Sequence, residues 1–238
     1  MEARNSQETT AEQLRVHGVT LIRSAATDVC TKRILSWLRK LEMEVEQRFE
    51  CEPVFDHEEG GGKRLRKARR LYWSDKEFWT PIIAELNLAD LGKRLVSNTP
   101  VLTNLASFMK PARFGTKVGL HQDQQLWPYD SPGGITIWLS LTEVNPKNGG
   151  IWLYPGSHER GLLPHEEHDP WHPVIRESQM EGWRPICGEL APGDLLIWDR
   201  HLVHYSEANQ SEEDRVGLVM VLADAQYADE KARDILYL

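Results

Sequence analysis

From Val101 to Leu222 the chain is cut into short apolar runs, rich in Trp and β-branched residues, with turn-forming residues between them. The runs are Leu102 to Met109, Ile135 to Leu141, Ile151 to Tyr154, Asp194 to Trp198 and Val216 to Leu222. The breaks include Asn145-Pro146-Lys147-Asn148-Gly149-Gly150, Pro155-Gly156-Ser157 and Ala191-Pro192-Gly193-Asp194. Runs of this length and composition suit strands, and Pro, Gly and Asn supply the turns between them. A mainly β domain follows, a sandwich or jelly roll.

The first hundred residues have a different texture. Thr27 or Asp28 can cap a helix whose apolar positions Ile34, Leu38, Leu41 and Val45 recur at three and four residues, with Gln47 and Arg48 near its end. Pro81 suits the first turn of a second helix through Ile82, Ile83 and Leu86. No repeat or linker divides the 238 residues. We therefore expect one domain over 1–238, with a mainly helical flank over 1–100 and the β core over 101–225.

A formal charge of −8 argues against a general nucleic-acid or anionic-membrane binder. Cys30, Cys51 and Cys187 show no Cys-x-x-Cys spacing, which suits a reducing cytoplasm rather than a disulfide framework. No run approaches the roughly 20 apolar residues of a membrane span, and neither terminus reads as a targeting signal. The expected partner is a small molecule, bound by a monomer or homodimer, with neither nucleic acid nor membrane involved. Nine Trp residues hint at aromatic pocket walls.

The chemistry centres on Gly119-Leu120-His121-Gln122-Asp123. Side chains two apart on an extended segment point the same way, so His121 and Asp123 can share one ion. Such a pair is common by chance in a chain with nine histidines, and it needs a distant partner. His204, just beyond the apolar run Leu195 to Trp198, supplies one. Two His and one carboxylate from one face leave open positions on Fe(II). Arg215 opens the run Arg215 to Ala223, where burial is costly unless a carboxylate meets the guanidinium. The alternative is a rim Arg paired with Glu212, Glu213 or Asp214.

These residues, with the segments Asn145 to His165 and Gly193 to His204, resemble the phytanoyl-CoA dioxygenase family of Fe(II)/2-oxoglutarate oxygenases. The resemblance runs from about Phe108 to Asp224. It implies a double-stranded β-helix, the cupin-like jelly roll, with flanking N-terminal helices. It further implies that His121, Asp123 and His204 are the iron ligands, and that 2-oxoglutarate and O₂ are cosubstrates. Arg215 would grip the distal carboxylate of 2-oxoglutarate, with Ser206 beside it and Trp138 lining the cosubstrate pocket. Gln122, Asn104 and Lys67 are further candidates for cosubstrate contact. A carboxylate at Asp123 argues for hydroxylation or a related oxidation over halogenation, and the resemblance allows a substrate from natural-product metabolism. A cupin-like isomerase or dioxygenase that does without 2-oxoglutarate, and a binding module that has lost its iron, are the rival readings.

Two further features stand out. His165, His168 and His172 have helical zinc spacing, but Pro164, Pro170 and Pro173 oppose a helix, and a loop over the pocket suits the segment better. Trp171 there, with Trp127 and Tyr129, is a candidate for substrate contact. The run Lys63 to Arg70 holds six basic residues in eight and reads either as a cradle for an anionic substrate or for the cosubstrate, near Lys67, or as a solvated segment balanced by Glu58 and Glu59; the solvated reading suits most of the charges, with one of them turned inward.

Overall fold

The computed structural model describes residues 9–44, 49–57, 62–166, 172–228 and 235–238. In chain order they form α1 (Thr10–His17), β1 (Val19–Ile22), α2 (Asp28–Glu44), β2 (Val54–His57), β3 (Lys63–Ala68), α3 (Leu71–Ser74), α4 (Lys76–Glu85) and α5 (Leu88–Leu95). There follow β4 (Pro100–Lys110), β5 (Val118–His121), β6 (Ile135–Ser140), β7 (Ile151–Leu153), β8 (Ile186–Gly188), β9 (Leu195–Asp199), β10 (His204–Ser206), β11 (Arg215–Asp224) and β12 (Leu236–Tyr237). Two antiparallel sheets result. The larger has the order β1-β9-β6-β11-β4-β3-β2, with β12 on β4, and the smaller has the order β5-β10-β7-β8.

The central strands of the larger sheet are buried on both faces, which is why they read as unbroken apolar runs. Alternation divides the labour. Ile137 and Leu139 of β6, Ile197 of β9 and Leu218, Met220 and Leu222 of β11 join one core with Ile34, Leu38 and Leu41 of α2 and Trp79 and Ile82 of α4. The opposite face of the same strands, with Trp138, Leu196 and Trp198, packs instead with Ile151 and Leu153 of the smaller sheet. At one end of that inter-sheet space the apolar filling gives way to a cavity of about 570 Å³.

Local chemistry explains where elements begin. Asp75 caps α4 by accepting a hydrogen bond from the Phe78 N–H, so this helix starts at Lys76 and Pro81 lies inside it rather than at its start. Pro81 forgoes one i→i−4 bond there. Of the helix expected from Asp28, the span to Glu44 is present, and Val45, Gln47 and Arg48 lie outside the described residues. The basic run from Lys63 to Ala68 is β3, paired to β2 and β4, with Lys63 exposed and Arg66 buried. Its expected counter-charges Glu58 and Glu59 lie outside the described residues. Arg64 meets Glu42 and Asp214, Arg66 meets buried Asp56 at 3.0 Å, and Arg69 lies 3.9 Å from Glu52.

Candidate functional site

β10 lies antiparallel to β5 with His204 opposite His121, and their rings are 4.1 Å apart. Gln122 keeps an extended backbone (φ −121°, ψ 135°), so Asp123, at the start of the following turn, returns to the face of His121. Asp123 Oδ1 is 3.7 Å from Nε2 of both histidines. Ligand atoms of the three side chains all lie within 4.8 Å of one another, and among the described residues they form the one group able to hold a metal.

Each ligand is oriented by a second contact. Nδ1 of His121 is 2.9 Å from the Gly119 carbonyl, and Nδ1 of His204 is 2.9 Å from that of Leu202. A carbonyl only accepts, so both Nδ1 atoms carry a proton and both Nε2 atoms face the cluster. Burial, reinforced by His204 and His172, holds His121 well below the ordinary imidazole range and keeps it neutral. Asp123 Oδ2 accepts from Thr136 Oγ1 at 2.6 Å and from Trp198 Nε1 at 2.8 Å, which leaves Oδ1 for an ion.

Arg215 is 1% exposed and, among the described residues, has no carboxylate partner. Glu212 meets Arg113, and Asp214 meets Arg64 and the Ala112 N–H, so the pairing of a rim Arg with these acids does not occur. One Arg215 nitrogen donates to the Gly149 carbonyl at 3.0 Å, and Nε has no acceptor. The guanidinium lies 4.6 Å from the Trp138 ring, whose Nε1 is also buried without an acceptor. Burial and the nearby Arg66 push Arg215 down to about 9. Two adjacent buried donors with nothing to bind are a costly arrangement that an anion would relieve.

Alternation along β11 puts Arg215, Gly217, Val219 and Val221 on the inner face. A Cβ on Gly217 would fall 2.2 Å from Cζ2 of Trp138, so this glycine makes room for the indole. Ser206, buried and two past His204, lines the same cavity, as do Trp138, Asn104 and Lys67. Trp127 and Tyr129 form an aromatic wall with ring centroids 6.0 Å apart, and Tyr129 donates to Thr103 Oγ1 at 2.6 Å.

Gln122 departs from its expected place at the cosubstrate. The alternation that unites His121 with Asp123 turns it to the other side, where its amide donates to the carbonyls of Gly161 and His201 and accepts from the Leu163 N–H. It fastens the 161–163 segment behind the site. His165 likewise supports the backbone, accepting from the Gln122 N–H, while His172 stands against His121 with rings 4.4 Å apart and lines the cavity. Glu166 and Val174 form an antiparallel bridge, and neither His165 nor His172, the two described members of the expected zinc set, has helical backbone. His168 and Trp171 lie outside the described residues.

Thr136, Trp198, Gly217 and Phe108 were not singled out from sequence. Period-two alternation from Trp138 would have reached Thr136, but nothing local marks the others.

The profile of the phytanoyl-CoA dioxygenase (PhyH) family matches residues 14–217. A rice (Oryza sativa subsp. japonica) protein named phytanoyl-CoA dioxygenase 1 is 29% identical over 145 residues, which is 59% of this chain and 50% of the rice protein. The chain thus spans about half the length of that relative. A Stutzerimonas stutzeri protein, named a probable alpha-ketoglutarate-dependent hypophosphite dioxygenase, is 26% identical over 84% of this chain and 74% of its own. Among solved structures, the epimerase SnoN in complex with Fe³⁺, alpha ketoglutarate and nogalamycin RO superposes with a TM-score of 0.69 at 20% identity, covering 92% of this chain and 83% of SnoN. That likeness shows the shared fold, the cupin-like jelly roll.

Proposed function

Because the chain belongs to the phytanoyl-CoA dioxygenase family, we propose that it is a non-haem Fe(II)- and 2-oxoglutarate-dependent oxygenase that oxidises a small molecule, most simply by hydroxylation, in the cytoplasm. The observation that carries this reading is the pair of buried, acceptor-less donors on Arg215 and Trp138, in one cavity with a preorganised His-Asp-His cluster. Two imidazoles and a carboxylate on one face suit Fe(II) and leave positions open toward the cavity. Iron bound there, with 2-oxoglutarate and O₂, would supply the oxidising power, releasing succinate and CO₂ as one oxygen enters the substrate.

The chain's own residues do the positioning. His121 and His204 present Nε2, and Asp123 presents Oδ1, each fixed by its second hydrogen bond. Arg215 would clamp the distal carboxylate of 2-oxoglutarate with charge-assisted bonds, Trp138 and Ser206 beside it, and Asn104 would set its amide toward the same ligand. Phe108, Val219 and Val221 exclude water from the clamp. Trp127 and Tyr129 are placed to hold the body of a substrate. The free cysteines suit a reducing compartment, and no helix among the described residues is long and apolar enough to cross a membrane.

Titration of 2-oxoglutarate into the Fe(II)-loaded protein under nitrogen tests the assignment. Saturable binding at one equivalent is expected, and Arg215→Ala should weaken it by about a hundredfold or more while iron is retained. Unchanged affinity in that variant would favour a metal-dependent jelly roll that works without 2-oxoglutarate.

A further inference from the structure

Arg215 has a basic neighbour that the cosubstrate reading leaves unused. Lys110, the last residue of β4, is paired with Arg215 across the β4–β11 ladder and is 1% exposed. Residues opposite one another on adjacent strands share a face, so two basic side chains stand side by side on the inner face of the sheet. Such a pair is costly to bury. Arg215 and Ser206 line the cavity, and Lys110 stands behind them. Its stem packs on the turn that steadies the guanidinium: a Cβ on Gly149 would fall 2.6 Å from Lys110 Cδ, and the Gly149 carbonyl accepts from Arg215.

The Lys110 side chain reaches across to the smaller sheet. Nζ donates to the Thr116 carbonyl at 2.7 Å, to the Ser206 carbonyl at 3.4 Å and to the Glu207 carbonyl. Three acceptors use three N–H bonds, which the ammonium has and the neutral amine lacks. The surroundings oppose that form. Burial first, then Arg215 on β11 and Arg66 on β3, push Lys110 down to about 6 against Asp56 on β2 and Glu207 beyond β10. Asp56 already meets Arg66 and the Thr116 hydroxyl, and the Glu207 carboxylate lies 3.8 Å from Lys117, so neither acid belongs to Lys110. An anion held by Arg215 would tip the balance back to the ammonium.

We propose that Lys110 is a positioning residue of the cosubstrate clamp, tying Ser206 and Arg215 into one wall and placing a second positive charge behind the guanidinium when a dicarboxylate binds. The proton that completes the ammonium comes from solvent onto Nζ, so binding of the dicarboxylate takes up a proton. Lys110 thereby favours 2-oxoglutarate over a keto acid that lacks the distal carboxylate. This rests on the oxygenase reading above.

Calorimetric titration of the Fe(II)-loaded protein under nitrogen with 2-oxoglutarate and with 2-oxopentanoate tests it. The two share the keto acid end, so what titrates at the metal ligands cancels in the ratio of their affinities. In the dicarboxylate complex Lys110 has the higher proton affinity, so the preference for 2-oxoglutarate is greatest near pH 6 and falls as protons become scarce. Wild type should lose about tenfold of that preference from pH 6 to pH 7.5, below the range in which Lys67, at about 8, and Arg215, at about 9, titrate. Lys110→Met should cut the preference about tenfold at pH 6 and flatten its pH dependence, with iron and 2-oxopentanoate bound as in wild type. Lys110→Arg, charged throughout, should keep the preference and lose the pH dependence. A wild-type preference level from pH 6 to pH 7.5 would overturn the proposal whether or not the variants fold. So would Lys110→Met weakening both keto acids alike, as a merely structural tie would, or leaving the preference unchanged. If wild type binds no 2-oxoglutarate at all, the oxygenase reading fails first and this one with it.

Discussion

The residues that do the chemistry are few, and those that aim them are more numerous. Gly217 shows how sharply the aim is set, since any side chain there meets the Trp138 indole at 2.2 to 2.8 Å. Gly217→Ala should therefore displace the indole from Arg215, weaken 2-oxoglutarate binding about tenfold and cost about 1–3 kcal/mol in denaturant unfolding. Wild-type values for both quantities would show that the indole is not held there. His121 gives a pH signature. In the folded protein its proton affinity is well below ordinary, whereas the unfolded chain takes up that proton below about pH 6.5. The unfolded state thus binds more protons in acid, so metal-free stability present above pH 6.5 is lost as pH falls, by up to about 1.4 kcal/mol per pH unit. Urea titrations at pH 7 and pH 5.5 should show the loss, with a shallower pH dependence in His121→Gln; identical slopes would remove His121 as its source. The polar residues His121, Asp123, His204 and Arg215 were legible in the sequence because their chemistry is rare in an apolar setting. Their supports were not, because Trp198 and Thr136 look like ordinary strand residues until Asp123 is brought to them across the fold.

At the scale of elements, the strands with two buried faces announced themselves by unbroken apolar runs, whereas β5, β8 and β10 are three or four residues long and carry too few apolar positions to signal. Two of those three bear on the site, since β5 and β10 hold the histidines. Charge density weights the basic strand β3 toward solvent in the sequence, and the acids that accept its charge, Glu42, Asp56 and Asp214, come from distant parts of the chain. Bulges escaped for the same reason. A step in the β4–β11 register, from Asn104↔Val221 to Leu102↔Leu222, leaves Thr103 unpaired and lets both Thr103 and Asn104 line the cavity. The turn before β7 is built as its sequence suggests. Asn145 accepts from the N–H groups of Lys147 and Asn148, the Asn148 side chain returns the bond, and Gly149 follows at φ 82°. A Cβ at Gly149 would lie 2.6 Å from the Lys110 side chain and 2.8 Å from the Glu207 carbonyl. Gly149→Ala should accordingly cost about 2–4 kcal/mol in thermal or urea unfolding, and because the Gly149 carbonyl anchors Arg215 it should also loosen 2-oxoglutarate binding. Full retention of both would mean that the turn does not steady the clamp.

Taken whole, the molecule is a sandwich in which one sheet does double duty. Its outer face is sealed by α2, α4 and α5, so the central strands cannot shift without breaking the larger core. The inner face is left free to be polar at one end, where Arg215, Trp138 and Thr136 come from adjacent strands and His121, Asp123 and His204 from the facing sheet and its turn. Such a scaffold holds these side chains in place before anything binds. The central claim is that this rigid end assembles Fe(II) and 2-oxoglutarate together. Anaerobic addition of 2-oxoglutarate to the Fe(II)-loaded protein tests it most directly, through the weak visible charge-transfer band of a keto acid chelated to ferrous iron. The account predicts a band that saturates at one equivalent of 2-oxoglutarate per chain and vanishes in His204→Ala. Tight iron binding with no band in the wild-type protein would contradict it.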